Sequence, residues 1–326
     1  MWIMPDSRLP TTRYRYGIYG LVIDSELRFA SIEEAGERAA TAPAAVRLAL
    51  KDAAFFRAKC GSTPVASDGW IDHAVLEDGS FYLKAGDVFE AIVSSDGREA
   101  DCVAIGDTDL SSFEANLLNF VLSAALTLQG EEPMHSTVVD IGGKAVGLLG
   151  PSSAGKSTLA ASLIRRGSAL ITDDMLRVTF VDDVAIAHAG PHRLKLFDEP
   201  ARRFLPEAIA KGHFNTASGK IMLQPRPLER PAARRDWPLA ALFWIGDEST
   251  KPDEGVSATR LAGTELAKVL LSSAMNLRYQ AIDRLVRQMA FAERLAARVP
   301  IHALRYPRTF AAMDRVAAEI QRAVGP

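Results

Sequence analysis

The stretch Gly150–Ser157 constrains this chain more than any other part of its sequence. It reads Gly-Pro-Ser-Ser-Ala-Gly-Lys-Ser and matches in full the phosphate-loop pattern of Gly, four residues, Gly, Lys and Ser or Thr. Glycines let such a loop turn with positive φ, so that its backbone N–H groups converge on phosphate oxygens. The helix that follows adds the positive end of its dipole. The pattern therefore predicts a site for a nucleoside triphosphate.

The side chains of the loop have separate predicted roles. Lys156 would reach the β- and γ-phosphates, and Ser157 would hold Mg²⁺. Contacts to ATP are predicted along the loop and into the first helical turn, at Gly150, Ser152, Ser153, Ala154, Gly155, Lys156, Ser157 and Thr158.

The segments around the loop have the pattern that the motif requires. Lys144–Gly150 is a short apolar run suited to a buried strand, and Lys156–Arg166 has apolar residues at helical spacing. Gly167 follows two arginines, as at a helix C-terminus, and Ser168–Thr172 is typical of a second short strand. A helix of about 11 residues leads roughly 16 Å away from the phosphates, and five extended residues return by a similar distance. The residues after this strand should therefore lie beside the γ-phosphate.

Two adjacent carboxylates, Asp173 and Asp174, occupy that point. Such a pair can divide two tasks of phosphoryl transfer, because one carboxylate can bind Mg²⁺ while the other accepts a proton from the attacking hydroxyl. Successive side chains on a strand point in opposite directions, so the pair serves both tasks only if the backbone turns there. An isolated Asp-Asp pair is more typical of a solvated turn. Its distance behind a phosphate loop favours the active-site interpretation.

The segment Met134–Leu176, with its histidine, phosphate loop and Asp-Asp pair, resembles the catalytic domain of HPr kinase/phosphorylase. It resembles more closely the HPr-kinase-like proteins that phosphorylate lasso-peptide precursors, and phosphoenolpyruvate carboxykinase is similar in this region. The resemblance implies that Asp173 takes the proton of an acceptor serine and that Asp174 helps to hold Mg²⁺. It also implies that His135 and Lys156 belong to the catalytic group, whereas spacing alone predicts a capped or partly buried histidine at position 135.

The region after the aspartates departs from HPr kinase/phosphorylase. The signature Glu-Ile-Arg-Gly-x-Gly, needed for the reverse phosphorylase reaction of that enzyme, has no counterpart, and Ala187–Pro200 instead resembles the Pro-x-Arg-Leu pattern of the lasso-type kinases. Arg193 and Lys195 alternate on an extended segment, where they either point toward phosphates or form a solvated strand face. Lys220 is a third candidate for a phosphate or substrate contact.

Two domains are predicted, residues 1–130 and residues 131–326. The first contains short alternating stretches, such as Phe81–Gly97, and ends in a helix near Ser111–Leu128, which together predict a small, strand-rich α+β domain. By resemblance, the second is an α/β P-loop catalytic domain of HPr kinase or phosphoenolpyruvate carboxykinase type with C-terminal helices.

The C-terminal third of the chain has its own pattern. Leu239–Gly246 is almost uniformly apolar, which indicates a central strand. Residues from Thr264 to Arg298 have a helical pattern, and Val299–Pro307 predicts a last strand before a terminal helix.

Composition excludes several classes of protein. The 326 residues are 48% hydrophobic and 24% charged, which is ordinary for a soluble globular protein. Lys and Arg number 38 against 40 acidic residues, so the net charge of −2 gives no reason to expect nucleic acid. Two cysteines are too few for a disulfide framework, and together with an ATP site they predict a cytoplasmic protein. The first residues lack a signal-peptide pattern, and the longest apolar stretch is too short to span a membrane.

These observations predict a serine kinase that depends on ATP and Mg²⁺ and acts on a peptide or small protein. The resemblance suggests the C-terminal serine of a lasso-peptide precursor as the acceptor. Two alternatives stay open: a serine kinase directed at HPr, and a nucleotide-binding regulatory protein without transfer activity. Carboxykinase chemistry has less support, because no His or Lys cluster is present to serve it. A homo-oligomer is also compatible with the sequence.

Overall fold

The computed structural model describes residues 13–35, 42–215, 218–225, 236–246 and 255–325. Contacts between Cα atoms divide the chain into two units. The first comprises Met1–Glu131 and Asn276–Gln280, and the second comprises Glu132–Met275 and Ala281–Pro326.

An eight-stranded sheet with the strand order β1-β2-β3-β8-β7-β6-β5-β4 forms the frame of the first unit, as far as its described residues extend. Strands β4 to β8 are joined by antiparallel pairing, which includes the hairpin predicted within Phe81–Gly97. The strands are β1 (Tyr14–Ile18), β2 (Leu21–Ser25), β3 (Val46–Leu50), β4 (Ala66–Ser67), β5 (Ile71–Val75), β6 (Phe81–Ala85), β7 (Phe89–Val93) and β8 (Glu99–Ala104).

The helices of the first unit are α1 (Ala53–Cys60), α2 (Leu110–Asn116) and α3 (Leu122–Leu128), and a π-helical turn (Leu117–Val121) joins α2 to α3. The helix predicted near Ser111–Leu128 is therefore present, and its side chains are buried on nearly all sides. This burial explains its continuous apolar sequence. Among the described residues, no helix combines the length and the apolar character that crossing a membrane requires.

The second unit contains a mixed sheet with the strand order β11-β9-β10-β17-β13-β12, in which β19 pairs with β17 and β18 pairs with β19. A separate three-stranded sheet has the order β14-β16-β15. The strands are β9 (Ser136–Ile141), β10 (Lys144–Leu149), β11 (Ala169–Thr172), β12 (Val178–Val181), β13 (Val184–His188), β14 (Leu194–Leu196), β15 (His213–Asn215), β16 (Lys220–Leu223), β17 (Asp236–Trp244), β18 (Ser257–Arg260) and β19 (Ile301–Arg305). Strand β17 lies between β10 and β19 and is parallel to both, which confirms the predicted central strand.

Helices cover both faces of the mixed sheet. They are α4 (Lys156–Arg165), α5 (Asp198–Phe204), α6 (Pro206–Ile209), α7 (Gly263–Ser272), α8 (Ile282–Ala296) and α9 (Met313–Val324). Because side chains alternate across a strand, Val146 and Leu148 of β10 enter the core that contains α4 and α9. Their neighbours Ala145 and Leu149 enter the core that contains α7 and α8.

The continuous helical pattern from Thr264 to Arg298 is divided in the structure into α7 and α8. The backbone between these helices pairs with the segment before β9: Ser273 O accepts from His135 N at 2.7 Å, and Met275 N donates to Pro133 O at 2.8 Å. Asn276 then adopts a positive φ of 55°. Long-range backbone bonds thus replace the local helical bonds that the apolar periodicity suggested.

Candidate active site

Strand directions bring three distant segments to one edge of the mixed sheet. Strand β9 is antiparallel to both β10 and β11, with Ser136 opposite Leu149 and Val138 opposite Thr172. The start of β9 therefore lies beside the ends of β10 and β11. His135, the phosphate loop and the Asp-Asp pair meet at this edge for that reason.

The phosphate loop has the backbone that its glycines predict. It joins β10 to α4, and Gly150, Ser153 and Gly155 have positive φ values of 150°, 64° and 95°. A Cβ atom at Gly150 would lie 2.5 Å from Ile245 O, so a larger residue would displace the backbone there. The predicted strand, loop and helix are confirmed.

Lys156 is folded back on this loop and is only 7% exposed. Its Nζ donates to Gly150 O at 2.8 Å and to Pro151 O at 3.0 Å. Burial lowers the pKa of Lys156 to about 8, although the nearby charges of Asp173 and Asp174 raise it. The ammonium group thus donates to neutral carbonyl oxygens. The charged oxygens of a phosphate would be stronger acceptors in the same place.

The backbone turns between the two aspartates, as a division of tasks requires. Asp174 has a φ of 70°, in the left-handed region. Asp173 is 6% exposed; its Oδ1 accepts from Thr137 Oγ1 at 2.6 Å and its Oδ2 from Lys195 N at 3.1 Å. Burial and the charge of Asp174 raise the pKa of Asp173, although both hydrogen bonds oppose the shift.

Asp174 has the opposite electrostatic environment. Its Oδ2 lies 2.6 Å from Lys195 Nζ, and its backbone oxygen accepts from His135 Nδ1 at 3.0 Å. Burial alone would raise the pKa of Asp174, but the charges of Lys195 and Arg193 hold it well below its usual range. The pair thus combines a carboxylate that readily takes a proton with one that stays ionised.

His135 is a partly buried histidine at the edge of the same cleft. Burial and the charge of Lys156 lower its pKa, so the imidazole is neutral at physiological pH. Its Nδ1–H supports the turn at Asp174. The structure therefore gives His135 a place in the site, while its catalytic role stays a prediction.

A cleft of about 120 Å³ lies along the loop. Its lining includes the predicted ATP contacts Ser152, Ser153, Ala154, Gly155, Lys156, Ser157 and Thr158, together with His135, Asp174, Lys195, Leu196, Phe197 and Lys220. Lys220 Nζ lies 5.0 Å from the centre of the Phe197 ring. Arg193 does not line the cleft and is 7% exposed, so it acts on the site through its charge near Asp174.

A larger cavity of about 350 Å³ adjoins the same loop. Its lining residues are Ser153, Ala154, Gly155, Thr158, Tyr306, Arg308, Thr309, Phe310 and Met313. The Arg308 guanidinium lies over the Tyr306 ring at 4.9 Å and donates to Ala154 O and Gly246 O. Arg308 thus ties the chain after β19 to the phosphate loop.

Thr137 is a site residue that the sequence did not predict, as is Arg308. Thr137 is 1% exposed and donates the 2.6 Å hydrogen bond to Asp173. The available signal was a pair of hydroxyl residues, Ser136 and Thr137, at the start of a strand and directly after His135.

Comparisons with known proteins identify the same segment. Residues 127–199 match the family model described as HPr Serine kinase C-terminal domain. The HPr kinase/phosphorylase of Lachnoclostridium phytofermentans is 32% identical over 89 residues, which cover 27% of this chain and 28% of that protein. The enzyme of the same name from Limosilactobacillus reuteri (strain DSM 20016) is 34% identical over 95 residues, which cover 28% of this chain and 29% of that protein.

The matched stretches thus span less than a third of these relatives' own length. A solved structure, the Hpr(Ser) kinase/phosphatase from Coxiella burnetii, is 12% identical with a TM-score of 0.32, over 58% of this chain and 94% of that chain. The family match includes His135, the phosphate loop and both aspartates. Residues 127–199 of this chain are therefore similar to the C-terminal domain of HPr kinases.

Proposed function

We propose that this protein is a serine kinase that transfers the γ-phosphoryl group of ATP to a hydroxyl of a peptide or small protein. The observation that carries the proposal is the pair Asp173 and Asp174, whose pKa values shift in opposite directions beside a phosphate loop. Nucleotide binding alone does not need a carboxylate base, whereas phosphoryl transfer to a hydroxyl does.

The residues at the loop fit a nucleoside triphosphate and Mg²⁺. Gly150 and Gly155 give the loop its positive-φ turns, and Lys156 has an ammonium group ready to exchange carbonyls for phosphates. The hydroxyl of Ser157 and the ionised carboxylate of Asp174 are the hard oxygen donors that Mg²⁺ prefers, and they would hold it together with phosphate oxygens. Bound there, Mg²⁺ would neutralise negative charge on the transferring group.

Asp173 is suited to the role of base. Each carboxylate oxygen retains a lone pair beyond the hydrogen bond that it accepts, and the raised pKa increases its affinity for a proton. The serine hydroxyl would pass its proton to Asp173 as its oxygen bonds to the γ-phosphorus and the bond from that phosphorus to the leaving ADP oxygen breaks. Lys156 would hold the β- and γ-phosphates, and His135 would keep the turn at Asp174 in place.

The cavity of about 350 Å³ supports the proposal that the nucleoside binds beside the loop. It shares Ser153, Ala154, Gly155 and Thr158 with the cleft, so a ligand that crosses the loop can occupy both. Tyr306 and Phe310 offer apolar rings there, in keeping with a mostly apolar ligand pocket that contains a few polar groups. Arg308 adds a cation near the loop.

Two acceptors of the phosphoryl group fit this proposal. The resemblance to the lasso-type kinases favours the C-terminal serine of a precursor peptide, and Lys195 and Lys220 at the cleft suit an acidic acceptor or the phosphates themselves. The names of the curated relatives favour HPr as the alternative. Either acceptor is consistent with a kinase that works where ATP is made, in the cytoplasm.

Mass spectrometry tests the proposal directly. A serine-ending precursor peptide and HPr are each incubated with Mg²⁺-ATP and wild-type protein, the Asp173→Asn variant or the control Asp182→Asn. The control makes the same change at an exposed aspartate in the turn of the β12–β13 hairpin. We expect a mass gain of one phosphoryl group with the wild type and the control, and loss of at least 100-fold in rate with Asp173→Asn.

Nucleotide binding is measured in parallel for each variant. Asp173→Asn should still bind ATP, because the loop and Lys156, and not Asp173, are assigned to the phosphates. If ATP binds but neither acceptor gains phosphate, the regulatory protein becomes the better interpretation. If Asp173→Asn transfers phosphate as fast as the wild type, Asp173 is not the base.

A further inference from the structure

Lys195 contacts both aspartates of the site, each through a different part of the residue. Its backbone N donates to Asp173 Oδ2 at 3.1 Å, and its Nζ lies 2.6 Å from Asp174 Oδ2. The backbone contact does not depend on where the side chain points. The ammonium group can therefore leave Asp174 while the residue keeps its contact with Asp173.

Strand β14 fixes the backbone of Lys195 but not the end of its side chain. Leu194 and Leu196 are buried in the core, with exposed fractions of 0% and 1%, and β14 pairs with β16. Because side chains alternate along a strand, Lys195 points the other way, into the cleft. A lysine side chain is a flexible stem with a compact charge at its end. The structure thus combines a fixed backbone with a movable cation.

The ammonium group of Lys195 lies at the carboxylate that the proposed function assigns to Mg²⁺. Asp174 and Ser157, the two proposed metal ligands, line the same cleft as Lys195. An ammonium and a divalent cation beside one carboxylate repel each other, and more strongly where little water surrounds them. The side chains of Lys195 and Asp174 are only 17% and 20% exposed, so the two cations compete for Asp174.

A bound nucleotide would offer the ammonium group another acceptor. The cleft that Lys195 lines also contains Gly155, Lys156 and Ser157 of the phosphate loop. The aspartates lie one helix and one strand after this loop, which should place them at the terminal phosphate. Phosphate oxygens form strong, charge-assisted hydrogen bonds with an ammonium group. Lys195 would therefore exchange one charged acceptor for another.

We infer that Lys195 is a substitute cation, which neutralises Asp174 in the free protein and moves to the terminal phosphate when Mg²⁺-ATP binds. This inference rests on the proposed function, because that function assigns Asp174 to Mg²⁺. Without nucleotide, the ammonium group keeps divalent cations away from Asp174. With nucleotide, it contributes to binding of a triphosphate but not of a diphosphate.

Binding of Mn²⁺ without nucleotide tests the exchange at Asp174. Electron paramagnetic resonance follows free Mn²⁺ in titrations of the full chain. We expect Lys195→Met to bind Mn²⁺ at least about tenfold more tightly than the wild type. Lys195→Arg keeps the positive charge and should show no gain. The matched control Lys220→Met removes an ammonium group that lies over the Phe197 ring in the same cleft, and it should show little gain.

Two further measurements locate the metal and allow for lost stability. The double variant Lys195→Met with Asp174→Asn should lose the gain in Mn²⁺ affinity. Removal of Lys195 leaves Asp174 unpaired, so Lys195→Met should be less stable than the wild type, and Mn²⁺ should raise its Tm more than that of the wild type. A gain that persists in the double variant, or a Lys195→Met whose affinity and Tm respond to Mn²⁺ no more than the wild type, overturns the inference.

A comparison of ATP with ADP tests the move to the terminal phosphate. Titration calorimetry with saturating Mg²⁺ gives the ratio of the two affinities for each variant. We expect Lys195→Met to lose several-fold more affinity for ATP than for ADP, because ADP has no terminal phosphate for Lys195 to contact. An unchanged ratio would mean that the ammonium group does not reach this phosphate, and it would overturn that part of the inference.

Phosphate transfer by the wild type distinguishes this inference from the proposed function. If the wild type phosphorylates neither acceptor but both binding results hold, the kinase proposal fails and Lys195 is still a substitute cation in a nucleotide-binding protein. If the wild type transfers phosphate and Lys195→Met gains no affinity for Mn²⁺, the kinase proposal stands and the inference about Lys195 fails.

Discussion

At the scale of single residues, the site depends on how two adjacent aspartates are made chemically different. Asp173 accepts hydrogen bonds but forms no ion pair with the described residues, so burial dominates and its pKa rises. Asp174 faces the ammonium of Lys195 at 2.6 Å, which outweighs burial and lowers its pKa. The positive φ of Asp174 makes the difference possible, because it directs the two side chains to separate partners.

Thr137 donates a hydrogen bond to Asp173, the proposed base. Removing this donor with Thr137→Val takes away an interaction that lowers the pKa of Asp173, so that pKa should rise further. A base must be deprotonated to act, so the acidic limb of the pH–rate profile should move to higher pH. Thr137→Ser keeps the hydroxyl and serves as the control. If the acidic limb of Thr137→Val is unchanged, Thr137 does not influence the pKa of the base.

The lowered pKa of Lys156 predicts a pH dependence of nucleotide binding. Below pH 8 the ammonium is already protonated, so affinity for ATP should be nearly constant. Above pH 8 the free protein loses this proton and must regain it on binding phosphate, so affinity should fall by up to about tenfold per pH unit. Titration calorimetry from pH 7 to 9.5 measures the trend. Lys156→Arg keeps its charge throughout this range and should show a flat profile.

At the scale of elements, strand direction decides which residues meet. His135 precedes β9, the loop follows β10 and the aspartates follow β11, so three different strand ends supply one site. They converge because β9 runs antiparallel to its two neighbours. Strand β14 then closes the site through Lys195, whose backbone contacts one aspartate and whose side chain contacts the other.

The buried ion pair between Glu132 and Arg284 should contribute to the stability of the fold around α8. Arg284→Met leaves the buried carboxylate of Glu132 without its partner and should lower the free energy of unfolding by about 3–5 kcal/mol. The double variant Glu132→Leu with Arg284→Met removes both charges and should recover most of that loss. Denaturation by urea measures both effects. A double variant as unstable as the single one would mean that lost packing, and not an unpaired charge, causes the loss.

At the scale of the whole molecule, a bound ligand should protect the second unit from hydrogen exchange more than the first. A ligand that binds only the folded protein at 100 times its dissociation constant adds about 2.7 kcal/mol of stability. Every residue that lines the cleft and the nucleoside cavity belongs to the second unit. Mg²⁺-ATP should therefore slow hydrogen exchange at the loop and around Asp173, with a smaller effect after EDTA removes the metal. Lys156→Ala is the control and should show little protection.

Much of the site was predictable because its signals are local. The phosphate loop, its flanking strand and helix, and the aspartates all lie within Lys144–Asp174, where glycine positions and apolar periodicity determine backbone conformation directly. The helical pattern from Thr264 to Arg298 correctly predicted helices. It did not reveal the break near Asn276, because the hydrogen bonds that cause this break come from residues 133–135.

The sequence by itself determined that a phosphate loop stands between a strand and a helix with two carboxylates one strand later. Only the tertiary structure decided which partners distinguish those carboxylates, that Arg308 reaches the loop, and which face of α8 is buried. These outcomes depend on contacts such as Arg308 with Ala154 and Arg284 with Glu132, which are 154 and 152 residues apart. The spacing of apolar residues predicts only that α8 has two unlike faces. The buried ion pair between Arg284 and Glu132 determines which of these faces packs against the core.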